Sequence, residues 1–320
     1  MKKLQPPYKI IFMGTPDFAV PALEALIEQE KNNLVEVCAV VTQPDKPKGR
    51  GRKLSFSPVK EIALQHNKTV FQPFKVNDPL FIEEIAKFIP HFFVVAAFGK
   101  ILSQRLLDIP EVMPINIHGS ILPKYRGAAP IQWSILNGDK TTGITIMKMD
   151  AGMDTGTILL QESIDIASNE TCGSLFQKMS VFGAKLLIDA LNLYKDDKLI
   201  ITPQPEEGVT MAPPLKENYN LIDWNNEANS VSNLIKATDP QPGAYSFYNG
   251  ERINFFTPVT ISFSNKNYEP GSIIQADERL VVATGSGLVN IGEVQKQGKK
   301  RMSARDFLRG ARLKAGDKFG

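Results

Sequence analysis

Residues 92–98, FFVVAAF, form a run with no polar side chain. A strand with one wet face alternates apolar and polar residues, whereas a strand covered on both faces need not. The run therefore predicts a strand buried in the middle of a layered sheet. KIIFMG (9–14) and VEVCAVVT (35–42) read the same way, and TVFQP (69–73) is a shorter strand. Helical signals lie between them. Pro16 suits the first turn of a helix that runs to about Glu30, because its missing N–H costs nothing there. SPVKEIALQH (57–66) opens with a Ser cap and a Pro, and DPLFIEEIAKF (78–88) with an Asp cap. Strands alternating with helices imply an α/β fold, a parallel sheet with helices on both faces.

The pattern changes after Asn116. GAAPIQWSILNG reads as a short helix, TGITIMKM and GTILLQESIDI as two strands around the turn DAGMDTG, and 170–196 as a long amphipathic helix. Residues 198–220 are rich in Pro and polar side chains and read as a linker. Short strands and turns follow, with Asn249-Gly250 a strong hairpin signal, and suggest a small β-barrel. With 320 residues, two domains are expected: a first over 1–197 and a second over 221–320, joined by 198–220. The end of the chain is basic, with Lys296, Lys299, Lys300, Arg301, Arg305, Arg309, Arg312, Lys314 and Lys318 opposed only by Asp306 and Asp317.

Several function classes drop out. No window approaches the ~18 apolar residues of a membrane span, and the first residues do not read as a signal peptide. Cys38 and Cys172 are the only cysteines, too few for a disulfide framework, so a cytoplasmic protein is expected. With His66, His91 and His118 the whole histidine set, no Cys/His zinc pattern can be drawn, and no metal is expected. MGTPDF follows the first strand but lacks the glycine spacing of a dinucleotide fingerprint, so neither nicotinamide nor flavin is expected.

Two stretches carry chemistry. In INIHGSILPKYRG, Asn116 and His118 are separated by one residue, so an extended chain points both to the same side. An amide and an imidazole aimed at one point can hold a developing oxyanion, and the imidazole can move a proton. A carboxylate is needed to orient it, and Asp150 and Asp154 are both candidates. The alternative is a core histidine satisfied by backbone. The second stretch is the loop over 42–60, where Pro and Gly argue against regular structure and Lys46, Lys48, Arg50, Arg52, Lys53 and Lys60 concentrate positive charge. Either it is a solvated surface loop, or it closes on a phosphate backbone.

INIHGSILPKYRGAAPIQ followed by MDAGMDTG resembles the folate-dependent formyltransferase family, and MGTPDFAVPALEAL, QPDKPKGRGRKLSFSPVK and EVQKQGKKRMSARDFLRG extend the resemblance over residues 9 to about 312. The basic loop and the C-terminal block resemble the branch that acts on tRNA. The resemblance implies a Rossmann-like catalytic domain followed by an OB-like barrel that holds tRNA. It implies transfer of the formyl group of 10-formyltetrahydrofolate to the α-amine of methionine on initiator tRNA, by a monomer. Asn116, His118 and Asp154 would be the catalytic set. The folate slot would be lined by Phe98, Gly99, Ile101, Leu102, Ser120, Ile121, Leu122, Pro123 and Asp150, largely through backbone. The tRNA contacts would be Lys46, Lys48, Arg50, Arg52, Lys53, Lys216, Lys299, Lys300 and Arg301. Ile121, His91 and the Pro213-Pro214 pair depart from the family's usual pattern. The competing reading is a formyltransferase acting on a nucleotide sugar. A non-catalytic RNA-binding protein and a folate hydrolase stand behind it.

Overall fold

The structure, a computed structural model, describes residues 4–48, 53–311 and 313–320. The chain divides into two compact units. The first comprises residues 1–128, 143–164 and 176–213; the second comprises 129–142, 165–175 and 214–320. The stretch read as a linker is thus shared, with 198–213 in the first unit and 214–220 in the second.

The first unit opens with β1 (Tyr8–Gly14), a 3-10 turn (Asp17–Ala19), α1 (Val20–Glu30) and β2 (Val35–Val41). Next come β3 (Lys46–Lys48), β4 (Lys53–Ser55), α2 (Pro58–Gln65), β5 (Val70–Phe71), α3 (Pro79–Ala86), β6 (Phe92–Ala96), α4 (Gln104–Leu107) and β7 (Met113–His118). The caps read from the sequence are present. The Ser57 hydroxyl accepts from the Lys60 N–H at 3.1 Å, and the Asp78 carboxylate from the Leu80 N–H at 3.0 Å. After α5 (Pro130–Leu136), the strands β8 (Thr141–Lys148) and β9 (Ile158–Asp165) complete a sheet of order β5-β2-β1-β6-β7-β8-β9. β5 through β7 pair in parallel, and β8 runs antiparallel to β7. Every residue of β6 is buried, as its unbroken apolar run predicts. Ile85 of α3 packs with Ile11, Met13, Phe93 and Val95 in one apolar cluster.

Strand order places the ligand crevice. β2 and β5 lie on one side of β1, while β6 and β7 lie on the other, so the order reverses between β1 and β6. In such sheets ligands sit outside the carboxyl ends of the strands at the reversal. Here those ends carry Thr15 and the turn from Ala97 to Leu102, with the end of β7 beside them.

The basic loop departs from its reading as irregular chain. β3 and β4 form a short antiparallel arm, with Lys46 opposite Ser55 and Lys48 opposite Lys53. Pro47 is tolerated because a two-stranded ribbon consists only of edges. Arg50 and Arg52 lie outside the described residues.

A 24-residue helix, α6 (Cys172–Lys195), follows β9. From residue 176 onward it belongs to the first unit, whereas the second unit holds α5 together with α7 (Ala228–Thr238), β10 (Ala244–Tyr248), β11 (Glu251–Ser262), β12 (Ile273–Ala276), β13 (Leu280–Ala283), β14 (Leu288–Lys296), β15 (Met302–Ser303) and α8 (Ala304–Gly310). Its antiparallel sheet has the order β10-β11-β14-β13-β12, with β15 added on β14. Asn249 and Gly250 both have positive φ, at 51° and 78°, the twist that a two-residue hairpin between β10 and β11 requires. α7 and α8 are additions to the sequence reading, which has only strands and a basic tail there. Both help close the core: Val231 and Ile235 of α7 and Phe307 of α8 pack with Phe255, Val282 and Val294.

Candidate active site

β7 is buried along almost its whole length, and it delivers His118 to the sheet's end with 5% of the residue exposed. A histidine this buried must have both ring nitrogens accounted for. Nε2 lies 2.9 Å from the Tyr125 carbonyl oxygen. A carbonyl only accepts, so Nε2 carries the hydrogen and donates it. Nδ1 faces the Asp154 carboxylate at 3.6 Å. The neutral ring therefore keeps Nδ1 as the nitrogen that can take up a proton. Asn116, two residues back on the same face, sends its amide Nδ2 toward the same Asp154 oxygen at 3.5 Å. Asn116, His118 and Asp154 thus converge, and of the two candidate carboxylates Asp154 is the one that meets the pair. Asp150 holds the turn instead, accepting from the Gly152 N–H at 3.0 Å and the Thr155 hydroxyl at 2.7 Å.

Asp154 is held from behind. Its other carboxylate oxygen accepts the Gly127 N–H at 2.8 Å. Both Asp154 (φ 53°) and Tyr125 (φ 60°) sit in the left-handed region, which costs a bulky residue such as Tyr on the order of 1–2 kcal/mol and persists only under external restraint. The restraint comes from residues 202–212. The Gln204 amide donates to the carbonyl oxygens of Asp154 and Gly156 at 2.8 and 2.7 Å, while its own oxygen accepts two bonds from the Arg126 guanidinium. Thr210 accepts the Tyr125 N–H on its hydroxyl at 2.8 Å and the Arg126 N–H on its carbonyl at 2.9 Å. Gly127 must be glycine: its φ is +124°, and a Cβ would come within 2.7 Å of the Ala212 carbonyl oxygen.

The residues predicted to line a folate slot differ in exposure. Phe98 and Leu102 belong to the apolar cluster under the sheet, and Leu122 is buried. Gly99 and Ile101 are exposed, Ile101 to 81%. The Ser120 hydroxyl is already engaged, donating to the Lys124 carbonyl at 2.6 Å, and Pro123 is half-buried beside it. The 120–123 turn is clamped by two polar residues on which the sequence reading places no role. Thr145, opposite His118 on β8, donates to the Ser120 carbonyl and accepts the Leu122 N–H. Gln161 donates to both the Leu122 carbonyl and the Thr145 hydroxyl. Ile121 is compatible with the fold because its side chain passes over Gly143, where a Cβ would meet it at 2.3 Å.

Elsewhere the predicted cations have different fates. Lys46 is exposed on the arm, and Lys216, Lys299 and Lys300 are exposed in the second unit. Lys48 and Lys53 lie opposite each other on the arm. Arg301 is committed within its own unit. It makes two bonds to Asp239, at 2.8 and 3.2 Å, a third to Glu293, and lies over the Phe256 ring. His91 is a tie between strands: its Nδ1 accepts the Lys9 N–H at 3.2 Å, and its backbone N–H donates to the Lys9 carbonyl. Among the described residues no His, Cys, Asp and Glu cluster could hold a metal ion, and no helix is long and apolar enough to cross a membrane.

An open parallel sheet with an Asn, a His and an Asp brought together at its carboxyl end suits an acyl-group transferase, and sequence comparison gives the acyl group. The formyl transferase family matches residues 8–191, its C-terminal domain matches 214–312, and the chain belongs to this family. Methionyl-tRNA formyltransferases are among its relatives. That of Ruminiclostridium cellulolyticum is 46% identical over 314 residues, covering 98% of this chain and 99% of its own. That of Thermodesulfovibrio yellowstonii is 46% identical over 308 residues, covering 96% and 97%. The fold is also shared with the Helicobacter canadensis N-formyltransferase bound to folinic acid and dTDP-3-aminofucose, at 19% identity and a TM-score of 0.66 over 90% of this chain and 99% of that one. It is shared too with a Clostridium thermocellum methionyl-tRNA formyltransferase, at 18% identity and a TM-score of 0.53 over 82% and 96%.

Proposed function

We propose that this chain transfers the formyl group of 10-formyltetrahydrofolate to the α-amine of methionine on initiator tRNA, as a cytoplasmic monomer. The observation that carries the reading is the convergence of Asn116, His118 and Asp154, in a chain that matches methionyl-tRNA formyltransferases along nearly all its length. Methionyl-tRNA formyltransferases 46% identical over nearly the whole chain favour tRNA over a nucleotide sugar as acceptor.

The folate supplies a formyl group on N10. The turn at Gly99 and Ile101, open at the strand reversal, suits a flat polar ring. The 120–123 turn and the Asp150 turn complete the slot. The attacking amine must be uncharged, and its nitrogen bonds to the formyl carbon. Asn116 donates to the oxygen that becomes an oxyanion. His118 Nδ1 takes the amine proton, directly or through one water, and returns it to the departing nitrogen. While Nδ1 holds that proton, the ring donates to the Tyr125 carbonyl on one side and faces the Asp154 carboxylate on the other, which stabilises the cation. The second unit is the OB-like tRNA-binding domain in this reading. Lys216, Lys299 and Lys300 contribute there, together with Lys46, Lys48, Lys53, Arg50 and Arg52 of the arm.

The test is formylation of methionyl initiator tRNA with elongator methionyl-tRNA alongside. Product on the initiator alone supports the reading. No product on either, with formyl transfer to an amino-sugar nucleotide, overturns it. His118→Ala is expected to lower turnover ~10²–10³-fold with folate and tRNA still bound. Near-normal turnover would remove His118 from the chemistry.

A further inference from the structure

Gln43 sits between the arm and the turn after β6, and both ends of its amide are in use. Nε2 donates to the Phe98 carbonyl at 2.8 Å, with the Gly99 carbonyl at 3.4 Å. Oε1 accepts from the Lys46 ammonium at 3.0 Å. The backbone on either side is pinned as well. The Gln43 N–H donates to the Thr15 hydroxyl at 3.4 Å, and that hydroxyl donates to the same Phe98 carbonyl at 3.2 Å. The Gln43 carbonyl accepts from Gln72, which also donates to Asp45, and Asp45 is paired with Lys60 at 2.6 Å. The base of the arm is tied further by Thr42 and Ser57, whose hydroxyls lie 2.7 Å apart.

The turn so held needs holding. Ala97 and Gly99 on either side of Phe98 both have positive φ, at 45° and 73°. A non-glycine residue in that region keeps its conformation only where its surroundings impose it. Lys46 has three N–H donors and uses one on Gln43, so it can meet a phosphate oxygen without releasing the glutamine. A phosphate bond to the ammonium immobilises Lys46, and with it the amide that restrains the Phe98-Gly99 carbonyls.

We propose that Gln43 is a positioning residue that couples the two substrate sites, so that phosphate engagement at Lys46 stiffens the Phe98-Gly99 turn and raises its affinity for folate. The inference rests on the function proposed above. It is tested by titrating the full chain with 5-formyltetrahydrofolate in a calorimeter, with and without saturating uncharged initiator tRNA. In the wild type, tRNA is expected to lower the folate Kd about five-fold or more, and folate to tighten tRNA by the same factor. Gln43→Met, similar in size but without hydrogen bonds, weakens folate alone and abolishes the coupling. Lys46→Met removes only the arm's end of the link and also abolishes the coupling, measured at tRNA concentrations raised to saturation. A merely structural Gln43 would weaken folate equally with and without tRNA, and coupling would survive in Lys46→Met; either result overturns the inference. Binding of both substrates by the wild type without linkage overturns it alone. A wild type that binds no folate overturns the functional reading, and this inference with it.

Discussion

The arm and the C-terminal tail read alike as strings of lysine and arginine, yet the fold uses their charges differently. In the tail the arginines are largely spoken for. Arg301 binds Asp239 and Glu293, Arg305 pairs with Glu278 at 2.8 Å, Arg309 with Asp306 at 3.3 Å, and Lys318 with Glu269. On the arm, the partner of the Lys46 ammonium among the described residues is the neutral amide of Gln43. A cation already paired gives up little on meeting a phosphate, whereas an unpaired one releases its counterions. The tail's charge excess is therefore partly architecture, and Lys46, with Lys299 and Lys300, is a better candidate for nucleic acid than the tail's paired arginines.

The sharpest way to break this contrast is Arg301→Ala. It leaves Asp239, whose side chain is only 5% exposed, without its cation and held by the Thr257 N–H and hydroxyl, and is expected to cost roughly 3 kcal/mol in urea unfolding. Unchanged stability with weakened tRNA binding would return Arg301 to the contact surface. Next is the double change Lys299→Ala, Lys300→Ala. Neither lysine has an ion pair among the described residues, so the slope of log affinity against log salt should become shallower by ~1–2 with folding unaffected. An unchanged slope would leave the tail without a measurable share in binding. The smallest effect is at the arm's base. Hydrogen bonds from Lys60 and Gln72 hold the Asp45 carboxyl below its ordinary value. Its folded pKa is thus the lower one, so its support is complete above an unfolded value of about 3.9 and drains away as pH falls through the folded one. Proteolysis of the arm should rise in that acid window and not in Asp45→Asn. Equal sensitivity in both proteins would deny Asp45 this role.

Patterns held in neighbouring residues announced themselves in the sequence. The apolar run of β6, the caps at Ser57 and Asp78, the Asn249-Gly250 hairpin and the Asn116-His118 spacing all follow from local rules. α7 did not, because ANSVSNLIKAT mixes β-branched and short polar residues that favour no one state by themselves, and its apolar stripe gains meaning only against the sheet. The arm's ladder was hidden by its prolines and glycines. Gln43, Thr145, Gln161 and Gln204 belong to no motif: each is a neutral polar residue with partners as far as 55, 25, 39 and 78 positions away, at Phe98, Ser120, Leu122 and Arg126 respectively. The tail's acids were missed for the same reason. Asp239, Glu269 and Glu278 lie 62, 49 and 27 residues from the cations they meet.

The bracket at residues 202–212 also decides where this chain can be cut. A fragment ending at residue 197 would hold every atom of Asn116, His118 and Asp154. It would lack Gln204 to grip the Asp154 turn and Thr210 to seat Tyr125, whose carbonyl orients the imidazole. Such a piece could keep its sheet and lose its chemistry. On the proposed mechanism the smallest piece able to hold the trio in register reaches residue 212, so a protease cut between the end of α6 and Gln204 would loosen the trio and leave the strands of the sheet whole.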